Sequence, residues 1–254
     1  MSRVPMRNGY GKALLELCRL HDDVVVLDAD VAKSTRTDWV RQKYPDRYVN
    51  VGISEQDLVG TAAGMSLTGF VPFISTYGVF LTGRAWGQIR NTVCYNNLNV
   101  KLVRFGRNPA PVVTTEDTPF ILGKAAVFKA GQDVTIFANG MMVYQALQAA
   151  QTLQQENIRA EVINVHTVKP LDTETIIHSA AKTKAVVVCE EHQCIGGLGS
   201  AVCEVLSQHC CVPVELVGIQ DTFGESGLPD DLMEAYGLGE SSIVQAVRNV
   251  LKRK

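Results

Sequence analysis

Glu55 is the residue in this chain whose position raises the clearest chemical question. It lies in NVGISEQDLVGTAAGMSLTG, residues 50–69, where an apolar helical pattern begins. Ser54 and Asp57 have the spacing of a capping box, and an acid in the first turn complements the helix dipole, so a local structural role is favoured. The rest of the helix is almost free of charge and rich in glycine and alanine, which predicts that other elements cover it and bury Glu55. A buried carboxylate is a candidate for proton chemistry, so both roles stay open.

Three further candidates, Asp30, Tyr77 and Phe80, also follow predicted strands. Two aromatic residues at helical spacing more often belong to a core than to a site. However, ligands of open α/β sheets bind outside the carboxyl ends of the strands, where these three residues and Glu55 are predicted to lie. The pattern therefore predicts one pocket with acidic and aromatic walls.

Other motifs favour structural roles. Residues 196–200, GGLGS, follow a strand and open a helix, so their amides could hold an anion, but the dinucleotide-binding fingerprint is incomplete and a tight turn is favoured. The seven cysteines are scattered and mostly in apolar segments, which is typical of reduced core thiols. Residues 189–194 include metal-ligand types without paired C-x-x-C spacing, so no metal site is predicted. The sequence has no G-x-S-x-G elbow and no P-loop, so the commonest hydrolase and NTPase classes have no support.

The composition is that of an ordinary soluble protein. The 254 residues are 46% apolar and 20% charged, with a formal net charge of −2. Without a basic patch, neither nucleic acid nor an anionic membrane is an expected partner. The sequence contains no apolar run long enough to span a bilayer, and its first residues lack the apolar block of a signal peptide, so we expect a cytoplasmic protein.

Strands and helices alternate along the chain, which predicts an α/β fold of two domains, each a mainly parallel sheet flanked by helices. The first domain has predicted strands at 24–27, 48–53, 71–76 and 99–105. A helix before the last strand should place Trp86, Ile89 and Val93 on one face. Prolines then break the pattern. The second domain has predicted strands at 134–138, 160–165, 185–189 and 214–219, and helices near 141–156, 173–182, 198–209 and 241–252.

Several motifs together resemble the C-terminal half of transketolases. They are NVGISEQDLVGTAAGMSLTGFVPFISTY, RFGRNPAP, GQDVTIFANG, VHTVKPLD, VVVCEEH, GGLGSAV and GIQDTFGESG. The resemblance covers nearly the whole chain. It implies a shortened thiamine-diphosphate pyrimidine-binding domain at residues 1–110, a linker at 111–124 and a transketolase C-terminal domain at 125–254.

The resemblance also implies roles for five residues of one site. A glutamate at the position of Glu55 hydrogen-bonds N1′ of the aminopyrimidine of thiamine diphosphate and so helps the cofactor to lose its C2 proton. Tyr77 and Phe80 match aromatic positions that pack on the pyrimidine ring. Asp30 matches an acid near the cofactor at the subunit interface. Arg107 matches the arginine that holds a sugar phosphate, a role that suits the fixed fork of a guanidinium.

Parts of the family pattern are missing. The diphosphate-binding half, with its G-D-G…N motif for Mg²⁺, is absent, which implies that a separate N-terminal transketolase subunit holds the metal and joins this chain in an α₂β₂ assembly. A βα unit of roughly 30 residues or more that carries a G-x-T-H-Q motif is missing between Val103 and Arg104, so two strands should run together as NVKLVRFGR. A third family aromatic falls at Gly83, which predicts a thinner wall around the ring.

The implied function is that of a split transketolase subunit, active only with its N-terminal partner. It would transfer a two-carbon ketol unit between a ketose phosphate and an aldose acceptor. Two alternatives remain. A β subunit of a 2-oxoacid dehydrogenase E1 shares both domains and the glutamate, although the RFGRNPAP arginine favours transketolase. A non-catalytic partner that stabilises or regulates another transketolase subunit is suggested by the missing segment.

Overall fold

Short apolar strands alternate with helices in the first unit of the chain, Met1–Ala110. The computed structural model describes residues 2–106 and 108–254. The elements of this unit are β1 (Arg3–Pro5), α1 (Met6–Leu20), β2 (Val24–Asp28), α2 (Ala32–Thr35), α3 (Asp38–Lys43), β3 (Tyr48–Asn50), α4 (Glu55–Leu67), β4 (Val71–Ser75), α5 (Trp86–Gln88) and β5 (Lys101–Val103), with β6 (Pro109–Pro111) at its end. Strands β1 and β6 form a small separate sheet, and the main sheet has the order β3–β2–β4–β5.

Strand β2 is the centre of this sheet, because all five of its side chains are buried. Its alternating side chains serve both faces: Val24 and Val26 pack with Leu14 of α1, whereas Val25 and Leu27 pack with apolar residues of α4. All pairings between neighbouring strands of the sheet are parallel. The residues that follow β2, β3 and β4 therefore leave the sheet at the same edge, which is the edge that positions the candidate site.

Two predicted strands of this unit are too long. The strand predicted at 48–53 ends at Asn50, because Gly52 adopts a left-handed φ of 78°. The strand predicted at 99–105 is reduced to Lys101–Val103, and residues 104–106 leave the sheet. The expected continuous strand across NVKLVRFGR is therefore wrong.

The segment between β4 and β5 is not the single helix that the sequence predicts. Two π-helical stretches, Phe80–Arg84 and Ile89–Cys94, lie on either side of the short helix α5. Val93 is buried and Ile89 is half-buried, but Trp86 is 59% exposed, so the predicted common face is wrong for the tryptophan. Gly83 and Gly87 weaken α-helix formation between Phe80 and Cys94, and π-helical turns are frequent at functional sites.

Helix α4 is covered on one face only within the described residues. Leu58 and Ala62 are buried, as predicted for the apolar side. Gly60 and Gly64 are exposed, and a Cβ at either position would meet no described atom within 4 Å. Leu67 is 73% exposed. The prediction that this helix is covered on most sides is thus wrong for the chain by itself. Its accessible face has Asp57 at one end and the small residues Gly60 and Gly64 further along.

The second unit, Pro111–Lys254, is built on a five-stranded sheet with the order β11–β10–β8–β9–β7. Its elements are β7 (Ala126–Lys129), β8 (Val134–Ala138), α6 (Met142–Gln155), β9 (Ala160–Asn164), α7 (Thr173–Thr183), β10 (Val186–Gln193), α8 (Leu198–His209), β11 (Val214–Ile219), α9 (Pro229–Ala235) and α10 (Glu240–Leu251). Strand β7 is antiparallel to β9, and the other pairings are parallel. The predicted α/β class is therefore confirmed in both units.

Helices cover both faces of the second sheet. Ile136 packs with α6 and α10, whereas its neighbour Phe137 packs with α7 and α8 on the opposite face. Strand β7 and helix α9 were not predicted, since a four-residue edge strand next to a proline-rich stretch carries little periodicity. Within the described residues, no helix combines the length and the apolar character needed to cross a membrane.

Candidate functional site

Glu55 is the first residue of α4, and its side chain is buried, with 6% of its surface exposed. The capping box predicted around it does not form. The Ser54 hydroxyl donates to the Val51 carbonyl oxygen at 2.9 Å, and Asp57 accepts from the Thr61 hydroxyl at 3.3 Å. Burial of Glu55 is thus confirmed, while the local capping explanation for the segment is wrong.

Arg84 is the described side chain that contacts the Glu55 carboxylate. Its Nη1 lies 3.4 Å from Oε2 of Glu55, and 57% of the arginine side chain is exposed. The guanidinium carbon of Arg84 also lies 4.5 Å from the centroid of the Phe80 ring. The π-helical turn from Phe80 to Arg84 brings these side chains together, and the Gln56 amide donates to the Arg84 carbonyl oxygen at 3.2 Å. Glu55, Arg84 and Phe80 therefore form one cluster.

Tyr77 extends this cluster. Its ring meets Phe80 edge-to-face, with the centroids 5.9 Å apart and the planes at 77°. Gly78 lies between these two residues in the sequence and packs against Arg104. A Cβ at this position would lie 3.3 Å from Nη1 of Arg104, so the absence of a side chain leaves room for the arginine. The structure therefore brings three of the predicted site residues, Glu55, Tyr77 and Phe80, to one region and adds two arginines.

Asp30 lies at the carboxyl end of β2, exposed and in the left-handed conformation, with a φ of 61°. Its amide donates to Oδ1 of Asn50 at 3.1 Å, and the Asn50 amide donates to Oδ1 of Asp30 at 3.3 Å. These bonds join the ends of β2 and β3. Asp30 therefore stands at the predicted edge, but its described contacts are to Asn50 rather than to the cluster around Glu55.

Asp28, two residues earlier, is fully buried and has its own partners. It accepts from the Val31 amide at 2.7 Å and from the hydroxyls of Thr37 at 2.9 Å and Thr35 at 3.2 Å. Burial raises the pKa of this carboxyl above its ordinary value, although these donors oppose the shift. Because both of its oxygens accept hydrogen bonds from the chain itself, we assign Asp28, the last residue of β2, a structural role.

Two further sequence predictions concern Arg107 and Gly83. Arg107, the predicted sugar-phosphate ligand, lies outside the described residues. Gly83 is exposed, and a Cβ there would meet nothing within 4 Å among the described atoms, so the position of the third family aromatic is open space.

The glycine-rich run 196–200 holds an anion of the chain itself. The amides of Leu198 and Gly199 donate to the two oxygens of Glu190 at 2.7 and 2.8 Å. The prediction of a structural turn is therefore confirmed, and the helix dipole of α8 faces a buried carboxylate.

The cysteines and the metal-ligand types form no further site among the described residues. All seven cysteines are free, and Cys18 and Cys189 are buried as core thiols. Cys94 and Cys211 are exposed, so the prediction of core thiols is wrong for these two. No group of three histidine, cysteine or acidic side chains in the described chain could hold a metal ion.

Sequence reasoning missed Arg84. The four-residue spacing from Phe80 to Arg84 in FLTGR is a local signal for a cation over an aromatic ring. The contact with Glu55 joins residues 29 positions apart and has no sequence signal of its own.

The fold and the cluster define a class: an α/β protein of two units whose first unit offers a buried glutamate beside an aromatic ring at the carboxyl edge of a parallel sheet. The family comparisons give this class a name. Residues 2–108 match the pyrimidine-binding domain of transketolase, and residues 123–243 match the transketolase C-terminal domain. The chain belongs to the transketolase family.

Its relatives include proteins named as transketolase subunits and a solved structure described as a split gene transketolase. The chain is 36% identical to the 6-deoxy-6-sulfo-D-fructose transketolase subunit of Clostridium sp. (strain MSTE9), over 98% of this chain and 95% of that protein. It is 28% identical to an apulose-4-phosphate transketolase subunit of Phocaeicola vulgatus (strain ATCC 8482), over 98% of each chain. A solved structure described as a split gene transketolase, inactive beta4 tetramer, has a TM-score of 0.94 and 40% identity, over 98% of this chain and 99% of that chain.

The alignments also bear on the segment predicted to be missing. The alignment with the Clostridium subunit runs over 306 positions, although the present chain has 254 residues. That relative therefore carries residues without a counterpart here.

Proposed function

We propose that this chain is the C-terminal subunit of a split transketolase, which transfers a two-carbon ketol unit from a ketose phosphate to an aldose acceptor. The observation that carries the proposal is the cluster in which Arg84 contacts both the buried carboxylate of Glu55 and the ring of Phe80. The described partner of Glu55 is thus an exposed arginine, so the glutamate is held in place without being saturated by the fold.

The cluster fits the aminopyrimidine part of thiamine diphosphate. Glu55 would accept a hydrogen bond from the pyrimidine ring, and the face of Phe80, which already holds a planar guanidinium, would pack on that ring, with Tyr77 alongside. When bound, thiamine diphosphate supplies the carbon nucleophile of the reaction. The protein supplies a fixed acid and a dry aromatic surface that orient the ring.

A separate N-terminal subunit would hold the diphosphate and Mg²⁺. The relatives named above are themselves called subunits, which supports this part of the proposal. The exposed Ile53 and Trp86 are apolar surface for such a partner, and Gly60 and Gly64 on the accessible face of α4 would let it approach closely. An α₂β₂ assembly would place Asp30 at the interface between subunits. The related structure of β subunits alone is described as inactive, which agrees with a need for the partner.

Sugar phosphates are the proposed substrates, in a cytoplasmic enzyme. Arg104 lies beside Gly78, and Arg107, three positions further on, is the proposed phosphate ligand. The named relatives act on sugars that carry a sulfo or a phosphate group, so both act on anionic sugars. Within the chain, we propose that residues 1–110 and 125–254 are the two functional domains and that 111–124 links them.

The test is reconstitution. The chain is mixed with its matching N-terminal subunit, thiamine diphosphate and Mg²⁺, and the donors offered are ketose phosphates and, separately, pyruvate. We expect cleavage of a ketose phosphate and transfer to an aldose. Consumption of the 2-oxoacid in place of the sugar would identify a 2-oxoacid dehydrogenase β subunit and contradict the proposal.

A non-catalytic partner is the second candidate, favoured by the residues that the Clostridium relative has and this chain lacks. In that case the chain would assemble with an N-terminal subunit, and the complex would not bind thiamine diphosphate. Isothermal titration of the assembled complex with thiamine diphosphate and Mg²⁺ separates the two candidates, because only the transketolase requires a saturable site.

A further inference from the structure

We propose that Arg84 is a gate on the aminopyrimidine site, which it closes in the free chain and which the cofactor opens by displacing its side chain. This inference rests on the proposed function of Glu55 and Phe80. It assigns to Arg84 a role in regulating cofactor entry.

The geometry sets up a direct competition. Nη1 of Arg84 lies 3.4 Å from Oε2 of Glu55, and its guanidinium carbon lies 4.5 Å from the centroid of Phe80. A pyrimidine ring that packs on this face of Phe80 and hydrogen-bonds Glu55 would need both of the positions that the guanidinium occupies. The arginine and the ring therefore exclude each other.

The arginine is held loosely enough to leave. Its side chain is 57% exposed, and its contact with the buried Glu55 is long, at 3.4 Å. Its cation–π contact with Phe80 changes an equilibrium by roughly a few-fold at an exposed site. Its backbone is tied to α4 through the bond from Gln56, so only the side chain has to move. The adjacent Gly83 leaves open space, and this gives the guanidinium room to turn away from the site.

The contacts of Glu55 change when the gate opens. While Arg84 is in place, a cation satisfies one oxygen of the buried carboxylate. When the arginine leaves, the carboxylate needs a new donor, and the protonated ring nitrogen of a bound pyrimidine provides one. Displacement of the arginine and binding of the ring are therefore coupled at a single carboxylate.

The test measures affinity rather than turnover. The complex with the matching N-terminal subunit, in Mg²⁺, is titrated with thiamine diphosphate by calorimetry for the wild type, Arg84→Ala and Arg84→Lys. We expect Arg84→Ala to bind about three- to tenfold more tightly than the wild type, because the competitor is gone. Arg84→Lys should fall between them, since it keeps the charge and loses the planar fork. Arg90→Ala, at an exposed arginine of the next π-helical stretch, is the matched control and should bind like the wild type.

A double variant isolates the coupling. In a Glu55→Gln background the ion pair is gone, so Arg84→Ala should tighten binding less than it does in the wild type. Equal or weaker binding by Arg84→Ala, with a normal thermal unfolding curve, would overturn the gate. If the complexes assemble but neither the wild type nor Arg84→Ala binds thiamine diphosphate, the proposed function itself fails, and that result is distinct from a wild type that binds with no gain in the variant.

Discussion

Two glutamates beside helix starts show how differently this chain uses a buried carboxylate. Glu55 and Glu190 are equally hidden, with 6% and 4% of their surfaces exposed. Both oxygens of Glu190 accept amide bonds from the first turn of α8, at 2.7 and 2.8 Å. In the described structure, Glu55 has one long contact, to an exposed arginine.

This difference separates a carboxylate that stabilises the fold from one that can still bind a ligand. A carboxylate with both oxygens accepting from backbone amides of its own unit is committed to the fold, and its loss would leave buried donors unpaired. A carboxylate with a single, exposed partner contributes little to the fold and can exchange that partner for a ligand. Glu190 therefore belongs to the scaffold, and Glu55 is the acid that the proposed cofactor would use.

The largest effect should come from Glu55→Gln. In the reconstituted complex we expect turnover to fall by about 100-fold or more, since a positioned acid–base group contributes roughly 10²–10⁴-fold. Urea unfolding of the chain should change by less than about 1 kcal/mol, because the lost partner is an exposed arginine. Wild-type turnover in this variant would remove Glu55 from the mechanism.

Glu190→Ala should have the opposite effect to Glu55→Gln, with a large loss of stability and little loss of turnover. We expect a loss of about 2–3 kcal/mol in the free energy of unfolding, because two buried amides of α8 lose their acceptors. Urea denaturation of the chain is the measurement, with Glu191→Ala as the neighbouring control, since Glu191 is exposed at the end of β10. Equal stability of Glu190→Ala and the wild type would show that Glu190 does not stabilise the fold.

A smaller effect is expected at Asp172, a third acid at a helix start. It accepts from the amides of Ala125 and Thr175 and from the Thr175 hydroxyl, at 2.9, 3.2 and 2.8 Å. Although burial opposes them, these donors and Lys124 hold the pKa of Asp172 below its ordinary value. Asp172→Ala should cost about 1–2 kcal/mol at neutral pH.

The same acid predicts a pH dependence with a definite sign. Because its pKa is lowered by folding, its stabilising contribution is present above the ordinary carboxyl pKa of about 4 and is lost as the pH falls through the folded value. The difference between the wild type and Asp172→Ala in urea unfolding should therefore shrink below about pH 4. A difference that stays constant from pH 7 into that range would contradict the assignment.

The smallest expected change is on the other side of α4. Gly60→Ala should stabilise the free chain by up to about 1 kcal/mol, because the glycine is helical and an added Cβ meets open space. If the partner subunit packs on this face, the same change should weaken assembly, as measured by analytical ultracentrifugation with the N-terminal subunit. A more stable chain with unchanged assembly would place the partner on another face.

Sequence reasoning succeeded where one local signal was strong. Strands β8 and β11 and helix α8 have the predicted bounds, because each is an apolar run or a clear helical period between breaks. Glu55 is buried as predicted, although the helix that it begins is covered on one face only within the described residues. Resemblance to transketolases, carried by several motifs, predicted the family that the comparisons establish.

The features that the sequence did not predict depend on interactions that a short stretch of sequence does not contain. The π-helical turns around Arg84 replace an apparently ordinary helix, and they alone bring the arginine to Glu55. The acceptor for the GGLGS amides is Glu190, eight residues before the helix that it caps, and its geometry depends on the path of β10. Strand β7 forms only because β9 offers an edge to it. The roles assigned to Glu55, Asp30, Tyr77, Phe80 and Arg107 stay predictions.

Exchange of the C2 proton of thiamine diphosphate shows most directly whether Glu55 helps to activate the cofactor. In the complex with the N-terminal subunit and Mg²⁺, this exchange with deuterium is measured by quenched-flow and NMR for the wild type and Glu55→Gln. We expect fast exchange in the wild type and exchange slower by at least about 100-fold in the variant, with cofactor bound in both. Equal exchange rates in the two saturated complexes would contradict this role of Glu55.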